Sequence, residues 1–226
     1  MSPPEPRTTN GAEVLKRAVV AAALALEEAQ DELCRLDSVA GDGDEGLGMA
    51  RAGRGARERL SGSQPLDINE ILDLVATELS ATGGAMGAIS YVVVSSIAEA
   101  WRARDEHRLT ARALADLLAA AEAGVSEFGG ANRGDKSILD AIAYARDAAE
   151  EAAGHGATAK DATMAAMAAG REGAAATADM EARVGRAARL GPRSRGSIDA
   201  GAQSFAIALA ALGEVYISTG AGEPPA

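Results

Sequence analysis

The stretch of residues 36–49, Leu-Asp-Ser-Val-Ala-Gly-Asp-Gly-Asp-Glu-Gly-Leu-Gly-Met, concentrates carboxylates and glycines more densely than any other part of the chain. Asp42 and Asp44 are two residues apart, so their side chains point the same way on an extended loop. Asp37 lies at the end of a predicted helix and can fold back toward them. Three carboxylates repel one another unless a cation lies between them, and oxygen ligands suit Mg2+ or Ca2+. The stretch therefore predicts a divalent metal site.

The glycines of this stretch predict that an anion binds beside the metal. They let backbone N–H groups approach a phosphate closely. The helix predicted after Asp44 directs the positive end of its dipole to the same place. The alternative is an acidic turn in which Asp44 only caps a helix. That alternative accounts well for one aspartate and poorly for three, so metal plus phosphate is the preferred interpretation.

Composition limits the classes of protein that this chain can be. Its 226 residues suit one large domain or two small ones, and we predict one domain over residues 1–226 with an ordered core of about 10–218. The net charge of −11 argues against nucleic acid and anionic membranes as partners. The one cysteine, Cys34, excludes an internal disulfide framework and fits a reducing compartment. No apolar run is expected to span a membrane, and a cytoplasmic location is predicted.

Hydrophobic periodicity predicts an all-α fold. Eight helical patterns follow one another, and no alternation is long enough to predict a strand. The predicted helices cover about residues 11–36, 46–60, 67–80 and 86–104, and four more begin near residues 111, 135, 158 and 199.

The connections between these helices predict where a site would be built. Helices joined by short loops pack as antiparallel neighbours, so alternate connections lie at the same end of a bundle. Four alternate connections carry nearly all the unusual glycine and charge: residues 37–45, 81–87, 129–136 and 184–200. The last of them contains a dense basic segment whose arginines could bind a phosphate. Taken alone, Gly134-Asp135-Lys136-Ser137 favours a helix cap with a solvated lysine.

Five motifs in these loops resemble those of the nucleotide-binding L subunit, or L domain, of dihydroxyacetone kinases. The resemblance covers about residues 10–218, with the motifs in the same order and at the same spacing. It implies a closed barrel of eight antiparallel helices with ADP or ATP at one rim. The motifs are Asp37-x4-Asp42-x-Asp44-x-Gly46, Gly83-Gly84, Gly134-Asp135-Lys136-Ser137, Gly185-Arg186-Ala187 and Asp199-x-Gly201-Ala202.

The resemblance also implies roles for individual residues. The catalytic residues would be Asp37, Asp42 and Asp44, which match the aspartates that hold two Mg2+ ions on the nucleotide's phosphates. Gly83, Gly84 and Gly87 match the loop on the phosphate side. Ser137 and Ile138 match a pair beside the adenine, and Arg186 and Asp199 match further nucleotide contacts. The other residues assigned to the nucleotide are Glu45, Gly46, Gly48, Met49, Met86, Gly134 and Gly201.

The chain departs from the family pattern at four positions. Glu45 stands where His or Thr is usual, Gly48 where Asn often touches phosphate, and Met86 where a phosphate-binding Ser is usual. Ala200 replaces a Pro. The first three changes remove side-chain donors from the phosphate pocket and add one negative charge.

The resemblance implies that this chain is part of a larger enzyme. In the family a histidine on a separate K subunit holds the ketose covalently, and neither His107 nor His155 fits that role. The predicted function is an ADP- or ATP-Mg2+-binding subunit of a short-ketose kinase, active only with a K subunit. The phosphoryl donor is either ATP or a phosphotransferase-system M subunit, and a homodimer is one option for the assembly. The alternatives are a non-catalytic or regulatory relative, and a subunit of a kinase for another small sugar such as a tetrulose.

Overall fold

The computed structural model describes residues 10–62 and 66–220, and all regular structure in these residues is helical. This confirms the predicted all-α class. Two 3₁₀ segments, Thr177–Asp179 and Arg186–Ser194, lie between the last two α-helices. The nine α-helices of the described residues are α1 Asn10–Glu28, α2 Gln30–Asp37, α3 Glu45–Gly62, α4 Ile68–Ser80, α5 Gly84–Arg102, α6 Ala111–Gly129, α7 Ile138–Gly154, α8 Ala159–Ala176 and α9 Ala200–Ser218.

Local capping signals explain where several helices begin. The Asp67 side chain accepts a hydrogen bond from the Glu70 N–H, and the Asp67 N–H donates the reciprocal bond to the Glu70 side chain, which starts α4. Ser137 and Asp140 form the same arrangement at the start of α7. The sequence placed that start near Asp135, so the helix begins three residues later than predicted.

The prediction of one continuous first helix is wrong. The backbone leaves helical values at Ala29, with φ −84° and ψ 3°, and this separates α1 from α2. No glycine or proline marks the break in the sequence. The break lies beside a tertiary contact between α2 and the start of α3. A Cβ on Gly46 would lie 2.0 Å from the Gln30 carbonyl oxygen. The backbone of α2 therefore rests directly on the beginning of α3.

The helices form a closed ring. From α3 onward each helix packs against the next in the chain, α1 packs against α3, and α9 packs against α1. With α1 and α2 taken as one broken helix, the ring has the eight members that the resemblance implied. An apolar cavity of about 160 Å³ lies inside it, with Leu26, Met49, Val93 and Phe205 in its wall.

Small residues let the helices approach closely. A Cβ on Gly53 would lie 3.2 Å from the backbone of Ala23, and one on Gly173 would lie 3.0 Å from the Cα of Ala141. These contacts join α3 to α1 and α8 to α7. An alanine-rich sequence fills its interior in this way, because small side chains reach native packing density only when the backbones are close.

By length and composition alone, α5 and α9 could each cross a membrane, contrary to the expectation that no apolar run is long enough to do so. In the structure α5 packs between α4 and α6, and α9 packs against α1, α7 and α8. Both helices are thus members of the closed ring of helices.

Candidate metal and phosphate site

A cleft of about 490 Å³ opens where the end of α2, the starts of α3 and α5, and the second 3₁₀ segment meet. Three of the four loops that were predicted to converge therefore do so at this cleft. The fourth, residues 129–136, lies beside them, since the Asp135 carbonyl accepts the Arg183 N–H at 3.0 Å, but it does not line the cleft. The predicted site residues in the wall are Asp37, Asp42, Asp44, Glu45, Gly48, Met49, Gly83, Gly84, Met86, Gly87 and Arg186.

The three aspartates form one cluster. Oxygen atoms from Asp37, Asp42 and Asp44 all lie within 4.8 Å of one another. Asp37 folds back as predicted, because its Oδ2 accepts the N–H groups of Gly43 at 2.8 Å and Asp44 at 3.1 Å. These bonds fix the loop that carries the other two carboxylates. The donor set is entirely carboxylate oxygen, which fits a hard divalent cation.

Arg186 is the cation that faces this cluster. Its guanidinium pairs with Asp42 and lies 4.0 Å from the Oδ1 of Asp37. This pairing lowers the pKa of Asp42 to about 2. The hydrogen bond between Asp44 and Asp42 raises the pKa of Asp44. The cluster thus holds excess negative charge that one arginine offsets only in part.

The opposite wall of the cleft presents a helix amino terminus. Gly83 and Gly84 have φ values of 74° and 67°, a left-handed conformation that favours glycine. Among the residues that the structure describes, no side chain caps α5, so the first N–H groups of this helix have no side-chain partner there. The positive end of the helix dipole therefore lies across the cleft from the carboxylates, where an anion bridging the two walls would be stabilised.

Glu45 and Met86 line the cleft, but their side chains contact α9 in the interior of the barrel. The Glu45 side chain accepts a hydrogen bond from the Ser204 hydroxyl at 2.6 Å, and burial raises its pKa to about 8. The Cε of Met86 lies 3.0 Å from where a Cβ on Gly201 would be. Both side chains thus pack on α9. Since Gly48 has no side chain and the other two side chains are directed to α9, none of the three departures places a side-chain donor on an anion in the cleft. The raised pKa also keeps Glu45 mostly uncharged at neutral pH, so the predicted additional negative charge is largely absent.

Six predicted nucleotide contacts do not line this cleft, and the structure gives two of them, Gly134 and Asp199, a loop-closing and a capping role. The Gly134 N–H donates to Asp140 at 2.5 Å within the turn before α7. The Asp199 side chain caps α9 by accepting the Ala202 N–H at 2.8 Å, and burial raises the pKa of Asp199 to about 6. The six residues are Gly46, Gly134, Ser137, Ile138, Asp199 and Gly201.

The other four have packing roles or cap a helix from outside the cleft. Gly46 permits the contact of α3 with Gln30, and Gly201 permits the contact with Met86. Ser137 caps α7, and Ile138, the residue after it, faces the apolar cavity of the barrel. Direct nucleotide contact by these residues stays a prediction.

The sequence pattern of the DAK2 domain matches residues 39–214. The chain belongs to this family. It is similar to the D-erythrulose kinase of Mycolicibacterium smegmatis, with 32% identity over 216 residues that cover 94% of this chain and 37% of the relative. It is also similar to the ADP-binding subunit DhaL of the PEP-dependent dihydroxyacetone kinase of Escherichia coli, with 34% identity over 173 residues, 76% of this chain and 81% of the relative.

A solved structure shares the fold of this chain. The native dihydroxyacetone kinase of C. freundii superposes with a TM-score of 0.70 over 95% of this chain and 37% of that one, at 23% identity, which establishes the shared fold. Together the family match and the DhaL relative make the chain a dihydroxyacetone-kinase-type L domain.

Several residues that line the cleft of this L domain were not predicted individually. Arg51 lies three residues after Gly48 on α3, so the two share a helix face. Arg189 lies three residues after Arg186 in a 3₁₀ segment, where such residues are eclipsed. Helical spacing from known site residues could have found both. The additional lining residues are Leu47, Arg51, Thr82, Ala85, Gly185 and Arg189.

Lys136 anchors the loop that carries Arg186. It is buried, contrary to the expectation of a solvated lysine, and its ammonium donates to the carbonyls of Thr177 and Ser197, each at 2.5 Å. Gly196 N–H donates to the Ala178 carbonyl at 2.8 Å beside it. The two ends of the loop are therefore held together, which positions Arg186 over the aspartates of the L domain.

Proposed function

We propose that this L domain binds ADP or ATP with Mg2+ in the cleft and provides the phosphoryl donor side of a kinase that acts on a small ketose. The observation that carries the proposal is the cluster of three carboxylates facing an uncapped helix amino terminus across one cleft. A metal–polyphosphate complex matches both walls, because its cation meets the carboxylates and its phosphates meet the N–H groups.

Each wall would have a distinct task. Asp37, Asp42 and Asp44 would hold two Mg2+ ions, which neutralise phosphate charge when bound. The N–H groups that follow Gly83 would orient the phosphate oxygens. Phosphoryl transfer depends mainly on such positioning and charge stabilisation. A solved relative, the dihydroxyacetone kinase of C. freundii, is described in complex with AMP-PNP and Mg2+, which supports this choice of ligand.

The ketose would be held outside this chain. His107 and His155 are both outside the cleft, in connections at the other end of the barrel. The chain spans 37% of the length of the D-erythrulose kinase that it matches. We therefore propose a K subunit as the cytoplasmic partner that presents the ketose. Two relatives are ADP-binding subunits of PEP-dependent kinases, so the donor is either ATP or, in our alternative proposal, ADP that an M subunit rephosphorylates. Erythrulose joins dihydroxyacetone as a candidate acceptor because three relatives carry that activity in their names.

A regulatory role is the second candidate, and one observation favours it. Glu45 and Met86 are turned into the barrel and Gly48 lacks a side chain, so the phosphate side offers few side-chain donors. A domain that binds nucleotide as a signal could tolerate this loss better than one that turns it over.

Calorimetric titration with ADP and with ATP, in Mg2+ and in EDTA, tests the binding proposal. We expect binding only with Mg2+, and we expect Asp42→Asn to abolish it at concentrations that saturate the wild type. Asp105→Asn is the matched control, because it removes the same charge from an exposed loop at the far end of the barrel. Equal affinities of the wild type and Asp42→Asn would refute the metal site.

A coupled assay separates the two candidate functions. The L domain is mixed with a K subunit from a related kinase, ATP and either dihydroxyacetone or erythrulose, and ketose phosphate is measured. Turnover supports the kinase, whereas tight Mg2+-dependent nucleotide binding with no turnover of either ketose supports the regulatory relative.

A further inference from the structure

Two arginines line the cleft without a partner. The side chains of Arg51 and Arg189 are exposed and make no hydrogen bond or ion pair with any other residue in the described part of the chain. Most other arginines nearby are paired: Arg54 lies 3.9 Å from Glu27, and Arg195 lies 3.5 Å from Glu181. Within the described residues, the guanidiniums of Arg51 and Arg189 are therefore available to a ligand that enters the cleft.

The other side-chain donors of the cleft are already engaged. Arg186 pairs with Asp42, and the Thr82 hydroxyl donates to the Leu79 carbonyl at 2.8 Å. Gly48 has no side chain and Met86 has no donor. Among the described residues of the cleft, Arg51 and Arg189 are thus the side chains left to donate to an anion.

Their positions put them on two different walls. Arg51 follows Leu47 by four residues on α3, so the two side chains share a helix face, and both line the cleft. Gly48 on this part of α3 lies beside the loop before α5, because a Cβ placed on Gly48 would lie 3.8 Å from the Cβ of Thr82. Arg189 is on the facing 3₁₀ segment, one turn beyond the arginine that contacts the aspartates. An anionic group between the walls and next to the metal cluster would meet both guanidiniums.

We propose that Arg51 and Arg189 bind the terminal, transferable phosphate of a bound nucleoside triphosphate. This inference rests on the proposed nucleotide function and deepens it. The guanidinium group donates in a planar fork that matches phosphate oxygens, so two of them replace the donors that Gly48 and Met86 lack. The aspartates would hold the metal on the inner phosphates, while the two arginines would hold the outer phosphate and leave ADP binding largely unchanged.

The experiment compares the affinities of four single variants for two ligands in excess Mg2+, the β,γ-imido analogue of ATP and ADP, by calorimetry. Arg51→Gln and Arg189→Gln test the proposal. Arg54→Gln and Arg195→Gln are controls that remove the same charge from the same helix and the same loop, outside the cleft. Thermal melting of each variant checks that the fold is intact.

Arg51→Gln and Arg189→Gln each lose a charged hydrogen bond to the terminal phosphate, so each should bind the ATP analogue about 10- to 100-fold more weakly than the wild type. Their affinity for ADP should fall less than about threefold. The two control variants should keep the wild-type affinity for both ligands. Equal losses for both ligands, or losses no larger than in the controls, would overturn the assignment of these arginines while leaving the proposed nucleotide function in place. A wild type that binds neither ligand in Mg2+ would overturn the proposed function, and this inference with it.

Discussion

Gly46 is the residue where a single methyl group should disturb both the fold and the metal site. A Cβ at this position would lie 2.0 Å from the carbonyl oxygen of Gln30, 2.8 Å from its carbonyl carbon and 2.9 Å from the Sγ of Cys34. The first two atoms belong to the backbone of α2 and cannot rotate away. Gly46→Ala therefore forces α2 and α3 apart. Because Asp37 ends α2 and Asp44 directly precedes α3, the aspartates separate as well.

The expected loss of stability follows from two opposing effects. Overpacking of this kind costs about 1–3 kcal/mol, and a backbone collision places it at the upper end. Alanine regains at most about 1 kcal/mol over glycine through its higher helix propensity. The net loss is about 2 kcal/mol, which lowers the melting temperature of a chain of this size by about 4–8 °C.

Gly48→Ala is the matched control, two residues further along the same helix. The nearest atom to its Cβ would be the Cβ of Thr82 at 3.8 Å, an ordinary van der Waals contact. This variant should equal the wild type or exceed it by up to about 1 kcal/mol. Urea denaturation followed by circular dichroism measures both free energies of unfolding, and a titration with Mg2+ and ADP measures the site. If Gly46→Ala proves as stable as Gly48→Ala, the packing argument for α2 and α3 is wrong.

Two further predictions concern buried ionisable groups. Burial raises the pKa of Asp199 from 3.8 to about 6, so the folded state keeps a proton that the unfolded chain has released, and the free energy of unfolding falls as the pH rises through this window. Asp199→Asn preserves the helix cap and removes this titration, so its stability relative to the wild type should rise by roughly 2 kcal/mol from pH 4 to pH 7. A difference in stability that does not change with pH in paired urea titrations would contradict the assignment. Lys136→Met leaves two carbonyls without their donor, which costs about 1–3 kcal/mol each, and loosens the Arg186 loop. Denaturation should therefore show a loss of about 2–6 kcal/mol, and calorimetry should show weaker nucleotide binding. Lys160→Met, at an exposed position on α8, should change neither.

The sequence by itself determined the chemistry of the site to a large extent. Asp37, Asp42 and Asp44 lie within eight residues of one another, and short-range backbone geometry is enough to bring them together. The left-handed glycines before α5 were recognisable for the same reason, since their conformation is a local property. Helical periodicity and capping pairs also gave the all-α class and the start of most helices.

Only the tertiary structure decided which residues face the cleft. A periodic pattern identifies the buried face of a helix but not the neighbour that covers it, so the break at Ala29 and the role of Gly46 depend on a contact between α2 and α3. Lys136 looked solvated because its partners, the carbonyls of Thr177 and Ser197, are 41 and 61 residues away in sequence. The sequence likewise does not show that Arg51 and Arg189 have no ion-pair partner in the described part of the chain. That depends on which carboxylates the closed barrel places within reach of the two guanidiniums.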